Sequence, residues 1–481
     1  MLGSSAQANA ELPPQNRLNG IVNNLAKRIF NGERITYDPE LLASTATTLL
    51  NAMTTGYGKS LSDVDYDTPD FNTLCKLTEN VFQFSASKDF HILQDMTLAL
   101  KDTDGKLRSF SDFQKEVDKM NLQYNGNWLR TEYNHAVAAS QCAARWTEQV
   151  SCSQSMPYLQ YQAVMDKNTR PEHAALNGVI KRIDSDFWDK YYPPNGWGCR
   201  CEVIQLPGKN HKETPDMDLK HCKVAPMFQV NVGKKGVIFP KGHPYFMSQC
   251  QRCNGTPKQL AINPQCAACV AARKECDNYV KKCQIKAELL SKRKHEFNQL
   301  QVDENYINVK FDKKTGAIIA EHKEHIHHSA KKEDTFFGGL TSTMLERDCQ
   351  NELFRMGHKA ILEKEKVFDT KGNQVTALDL TFDDKPVDIA TVTTDSLYGL
   401  RFVHKNNQII RYNKRTDIKL KADSLILYFY EPTFFSEVKM EKSINFFKYF
   451  RDNNGELIEK LLKQVHCVIK GTDKIITYNI E

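Results

Sequence analysis

Thr169 to Val203 reads TRPEHAALNGVIKRIDSDFWDKYYPPNGWGCRCEV, and the rest of the chain is best understood outward from it. It holds a polar lead-in with His173, an aromatic middle (Phe187, Trp188, Tyr191, Tyr192), a Pro-Pro-Asn-Gly turn, and the pair Cys199 and Cys201 entering the apolar Val203-Ile204. Proline pre-sets φ, while glycine and asparagine accept positive φ. Pro193, Pro194, Asn195, Gly196 and Gly198 therefore predict a tight reversal that returns both cysteines towards whatever His173 packs on. Two readings follow. His173, Cys199 and Cys201 supply three soft metal ligands, but a closed structural site needs a fourth, with His211, His221 and Cys222 merely nearby. Alternatively, the imidazole and thiols are hydrogen-bonded in a small aromatic core, since free cysteine is among the most buried residue types.

The segment RPEHAALNG, the acidic and aromatic middle and the PPNGWGCRC end resemble the signature of the phage Mu F-like head-morphogenesis (minor head protein) family. Order, spacing and residue types agree together. The resemblance implies a role in head assembly or DNA delivery, with the portal protein and major capsid protein as partners. It also implies a location in the virion head or the host bacterial cytoplasm. It carries no catalytic residue into this segment.

At 481 residues the chain exceeds one ordinary core, so about three domains are expected. A mean hydropathy of -0.55 with 26% charged residues describes a globular protein. The formal charge of +6 permits contact with nucleic acid without requiring it. No run approaches the roughly 18 apolar residues of a membrane span, and Met1 to Glu11 lacks the regions of a signal peptide. Fourteen cysteines without an export signal point to metal or free thiols.

The fold class expected is α+β multidomain. Residues 1–18 read as an arm and 19–150 as a helical portal- and capsid-associated region. Residues 151–240 read as a Mu F-like module, 241–302 as a zinc knuckle with a long basic helix, and 303–481 as an α/β nuclease-like domain. Ile21, Val22, Leu25, Ile29 and Phe30 recur at helical spacing. Asp38 caps a second helix with Pro39 at its first position and a stripe Leu41, Leu42, Ala46, Leu49, Leu50, Met53, stopped at Gly56-Tyr57-Gly58. Helical texture continues over Asp70 to Ala86, Leu93 to Leu100 and Phe110 to Met120. In Tyr124 to Val150, Trp128, Leu129, Tyr133, Ala136, Ala139, Ala143 and Trp146 form one face, small in its middle, which predicts a closely packed central helix. NWLRTEYN within it also resembles Mu F-like proteins. Gly236 to Pro240 reads as a short strand.

Cys250-Gln251-Arg252-Cys253 and Cys266-Ala267-Ala268-Cys269 are separated by twelve residues. Two such knuckles can place four thiolates tetrahedrally around a structural Zn²⁺, with no position open for substrate. Cys276 and Cys283 are bystanders on the helix from Ala268 to Gln301, whose charge reads as a solvated face, with DNA contact the sharper alternative.

From Asp303 the pattern changes: a strand at Tyr306 to Phe311, a turn at Asp312 to Gly316, and a loop holding His322, His325, His327 and His328. A helix at Thr341 to Met356 precedes strands at Lys359 to Leu362, Val375 to Phe382 and Val387 to Thr393. Then follow a helix at Leu397 to Arg415, a buried strand at Ser424 to Tyr430, a helix at Ser443 to Val465 and a last strand. This order resembles PD-(D/E)xK and CdiA-type toxin nuclease modules. The resemblance implies that Glu352, Asp379 and Asp388 are catalytic and hold Mg²⁺, and that DNA or tRNA is the substrate. The lysine expected after Asp388 is missing, since Ala390 stands there. His404, Lys405 and Gln408 on the following helix are candidates to replace it.

Overall fold

Asp38 begins the fold's first helix pair as the local rules require. Helix α1, Gln15–Phe30, is followed by α2, Pro39–Tyr57, where the Asp38 carboxylate accepts from the Glu40 and Leu41 amides at 3.1 and 3.0 Å. Gly58, in the left-handed region at φ 78°, closes α2. This computed structural model describes residues 15–65, 68–216, 223–246, 264–325 and 339–480. Its residues cluster into two compact units, 1–287 and 288–481, and the fold class is α+β.

In the first unit, α3 runs unbroken over Pro69–Leu98, where the sequence suggested two pieces. The polar Ser87-Lys88-Asp89 that interrupts the apolar pattern is buried. The Lys88 ammonium pairs with the Glu132 carboxylate and donates to the Tyr124 carbonyl at 2.8 Å, and Thr45 Oγ1 donates to Asp89 at 3.0 Å. Buried polar groups with such partners cost little helix stability. Burial still raises both acids, Asp89 to about 8. Next come α4, Phe110–Asn121, a π-helical turn, Leu122–Trp128, and α5, Leu129–Ser151. The small face of α5 is as predicted, with Ala136, Ala139 and Ala143 fully buried. Trp128 departs from it at 39% exposure, because the π turn adds a residue and rotates the helix register there.

Beyond α5, strands β1 (Tyr158–Gln162), β2 (Ile180–Arg182) and β3 (Glu202–Leu206) form an antiparallel sheet with β1 central. The short helices α6, Pro171–Ala174, and α7, Phe187–Tyr191, lie in the β1–β2 and β2–β3 connections. The run predicted as a strand at 236–240 is not one. The turn of helix α8, Val232–Lys235, ends at Gly236, and Ile238 and Phe239 bury against the helices. The Asn80 side chain accepts from the Phe239 amide at 2.7 Å and donates to its carbonyl at 3.0 Å. That amide side chain replaces a strand partner. Helix α9, Pro264–Val302, then contributes Ala268, Ala272 and Cys276 to the helical core.

The second unit begins inside α9 at Glu288. Its further elements are β4 (Tyr306–Phe311), β5 (Ile318–His322), α10 (Ser342–Arg355), β6 (Lys359–Leu362), β7 (Val367–Phe368), β8 (Gln374–Val375), β9 (Leu380–Phe382), β10 (Lys385–Val392), α11 (Gly399–Asn413), β11 (Ser424–Phe429), α12 (Glu437–Lys448), β12 (Gln464–Ile469) and β13 (Ile476–Asn479). One mixed sheet has the order β13-β12-β11-β10-β9-β6-β5-β4, and β11 is parallel to both neighbours. Alternation along β11 divides the core. Leu425, Leu427 and Phe429 pack with Phe402 of α11 and Phe447 of α12, while Ile426 and Tyr428 pack with Cys349 and Leu353 of α10. The acidic turn Asp383-Asp384, with φ of 43° and 71°, joins β9 to β10 as a two-residue hairpin. The helix predicted at Ser443 to Val465 ends at Lys448. There the Asp452 carboxylate accepts from the Asn454 and Glu456 amides, and Gly455 takes φ 79°, a turn that outcompetes helix.

A Cβ at Gly56 would lie 2.2 Å from the Val137 carbonyl oxygen of α5. Helix propensity alone favours Gly56→Ala by up to about 1 kcal/mol. The clash is with backbone and cannot rotate away, so Gly56→Ala should instead lower stability by about 2 kcal/mol in urea unfolding. An unchanged or raised midpoint contradicts the close α2–α5 contact.

Candidate functional site

Two constellations carry chemistry. The first is the predicted bend. His173 lies on α6, and its Nε2 is 3.2 Å from the Asn195 carbonyl oxygen. A carbonyl only accepts, so Nε2 carries a proton and Nδ1 faces the cysteines. Nδ1 is 3.7 Å from Cys199 Sγ and 3.5 Å from Cys201 Sγ. Asn195 is itself held, its side-chain oxygen accepting from the Tyr161 hydroxyl at 3.0 Å. His173, Cys199 and Cys201 are all buried, in a core with Trp188, Tyr161 and Tyr192. Trp188 Nε1 donates to the Arg182 carbonyl at 2.9 Å. The hydrogen bond from Cys201 pulls the Cys199 thiol down to about 4, against burial and with help from His173. The Cys201 thiol is pushed up by its bond to Cys199 and by burial, and His173 is raised by its bond to Cys199. His211 stands apart, 2.9 Å from the Pro207 carbonyl. His221 and Cys222 lie outside the described residues.

The second is a cleft of about 560 Å³ in the second unit, lined among others by Glu346, Glu365, Asp379, Arg401, His404, Lys405 and Gln408. Asp388, on β10, is wholly buried beside it. Lys405 reaches from α11 to place Nζ 3.0 Å from Asp388 Oδ2 and 3.8 Å from Asp379 Oδ2, which also accepts from the Ile389 amide at 3.1 Å. Burial and then the Asp379 charge push Asp388 well above the usual carboxylate range. Burial works against Asp379 too, but its bond with Asp388 and the Lys405 charge bring it below that range. Lys405 is raised by the two aspartates despite its burial. Next to these, the His325 ring lies 2.7 Å (Nδ1) from the Glu363 carbonyl and 3.0 Å (Nε2) from Glu346 Oε2. Ligand atoms of His325, Glu346 and Glu365 lie within 4.8 Å of one another.

Residues 94–204 match the family model described as Phage Mu protein F like protein. The chain is 44% identical over 85 residues to the putative capsid assembly protein F of Escherichia phage Mu, covering 18% of this chain and 19% of that one. It is 49% identical over 64 residues to the Mu-like prophage FluMu F protein of Haemophilus influenzae strain Rd, covering 13% and 16%. Residues 94–204 are thus similar to Mu F-like proteins. The chain spans less than a fifth of the length of these curated relatives. No solved structure matches the chain significantly.

The Mu F-like match includes NWLRTEYN and the whole His173 to Cys201 bend, and the cleft lies outside it. Of the nuclease residues read from sequence, Asp379 and Asp388 come together. Glu352 does not join them: it accepts from Arg355 at 2.8 Å and from the Gly471 amide at 3.3 Å. Glu346, six residues earlier, points roughly 240° around the helix from Glu352 and supplies the cleft's helical carboxylate. Lys405, from α11, brings an ammonium beside Asp388. His325, read from the sequence as a loop residue, is buried; His327 and His328 lie outside the described residues. Of the four zinc-knuckle cysteines, Cys250 and Cys253 are also outside them, and Cys266 is described only as backbone in the first turn of α9. Cys269 is half-buried, with Sγ 4.0 Å from Ser87 Oγ.

Removing one partner of a buried ion pair strands the other. Lys405→Met should destabilise the chain by about 3 kcal/mol at neutral pH. With Asp388 raised further, the folded state holds a proton that the unfolded state releases above about pH 4. The deficit should therefore grow as pH rises from that point. Adding Asp388→Asn should recover most of it. Equal losses in the single and double variants, at all pH values, contradict the pairing.

Proposed function

We propose that the chain is a minor head protein of a tailed phage or prophage, bound near the portal and acting in head assembly or in DNA packaging or ejection. The observation that carries this reading is the Mu F-like match over 94–204, supported by a relative named as a putative capsid assembly protein. Portal protein and major capsid protein are its proposed partners, in the virion head or the host bacterial cytoplasm. Among the described residues no helix is long and apolar enough to cross a membrane. Cys250, Cys253, Cys266 and Cys269 are proposed to hold a structural zinc ion. The test is sedimentation of assembled heads from a host producing the phage. The chain should travel with heads and be lost from them when 94–204 is deleted. A chain found only in the soluble fraction overturns the reading.

The cleft supports a second reading, a head-carried effector whose C-terminal unit is a metal-dependent nuclease acting on DNA or tRNA. The specific observation is Lys405 at 3.0 Å from Asp388, with Asp379, Glu346 and Glu365 close by. These carboxylates are hard oxygen ligands suited to Mg²⁺. When bound, such a cation polarises phosphate and lowers the pKa of water. The chain's own part is to hold the Lys405 ammonium between two aspartates and to offer Arg401 to a phosphate. Intact chain with Mg²⁺ should cut labelled tRNA or DNA. Asp379→Ala and Glu346→Gln should lower the rate more than about 100-fold, as for loss of a catalytic group, while Glu352→Gln leaves it unchanged. No cleavage of either nucleic acid contradicts the effector reading.

A further inference from the structure

The bend is more than a packed core. We propose that His173, Cys199 and Cys201 bind one zinc ion through Nδ1 and the two Sγ atoms, with water in the fourth position. The proposal concerns the Mu F-like bend itself and is separate from the four-cysteine knuckle at 250–269.

Geometry supports it first. In a tetrahedral site with Zn–S of about 2.3 Å and Zn–N of about 2.0–2.1 Å, neighbouring nitrogen and sulfur ligands lie about 3.6 Å apart. Nδ1 lies 3.7 and 3.5 Å from the two sulfurs, and all three ligand atoms fall within 4.8 Å of one another.

Hydrogen-bond accounting supports it next. The Nε2 proton is committed to the Asn195 carbonyl, the second-shell contact that orients a metal-ligating histidine. That carbonyl is positioned in turn, because Tyr161 grips the Asn195 side chain. In a ring so fixed, Nδ1 makes one hydrogen bond and can serve one sulfur only. A cation bonded to Nδ1 and both sulfurs serves all three groups at once.

Chemistry then selects the ion. Two thiolates and an imidazole suit zinc rather than magnesium or calcium. On binding, the protons held by Nδ1 and the two sulfurs leave to solvent, and the thiolates and the imidazole bond to the ion. No oxidant or reductant is required.

The test uses the full chain carrying Cys250→Ser and Cys253→Ser, so that the knuckle cannot contribute. After chelation and reloading with Zn²⁺, elemental analysis should find about one zinc per chain. Cobalt(II) in its place should give the intense thiolate-to-metal absorption of two sulfur ligands. His173→Gln or Cys201→Ser on that background should cut the bound zinc at least about tenfold, with far-ultraviolet circular dichroism unchanged. If those variants misfold, the cobalt spectrum of the background protein decides. A folded background protein that holds no zinc, or cobalt bound without thiolate absorption, overturns the proposal. So does zinc retained in full by a folded His173→Gln protein.

Discussion

The hydrogen bond between His173 Nε2 and the Asn195 carbonyl is the contact on which the Mu F-like bend depends. It joins the first turn after β1 to the Pro-Pro-Asn-Gly reversal before β3, twenty-two positions away. Both ends are buried, so an unmet donor or acceptor there would cost about 1–3 kcal/mol. With the bond made, Cys199 and Cys201 fall against Nδ1. Tyr192, from the same reversal, donates to Gln149 of α5 at 2.8 Å, and Gln149 donates to the Val203 carbonyl at 2.9 Å. The small sheet is thus tied to the central helix by polar contacts as well as by the Trp146–Tyr192 ring pair.

The second unit solves a different problem. Two aspartates are drawn into one buried place by the β9–β10 hairpin, and like charges that close disfavour each other's ionisation. Lys405, reaching from α11, offsets that cost. His325 and Glu346 repeat the arrangement, with a titratable ring set against a buried carboxylate.

Much of this was readable from residue order. The Asp38 cap, the alanine face of α5 and the run of β11 follow local rules that the tertiary structure leaves standing. The bend was legible because proline, asparagine and glycine restrict the backbone wherever they sit. What failed depended on distant partners. Lys88 and Asp89 looked like an interruption because Glu132 and Thr45 are far away in sequence. Phe239 looked like a strand residue because nothing local reveals that Asn80 takes its backbone bonds. Glu352 and Glu346 are both acidic positions on one helix, and only the direction of the sheet says which faces the cleft. Lys405 reaches Asp388 from another element, a juxtaposition that spacing cannot express.

The protonation of the His173 ring is the most direct measure of the bend. Nitrogen-15 spectra of labelled protein, with His173 assigned by its loss in His173→Gln, report which ring nitrogen carries hydrogen. A proton on Nε2 is required in every state, whether Nδ1 binds a thiol proton or a metal. An Nε2 without a proton would mean that Asn195 does not hold the ring, and that the cysteines meet His173 by packing alone.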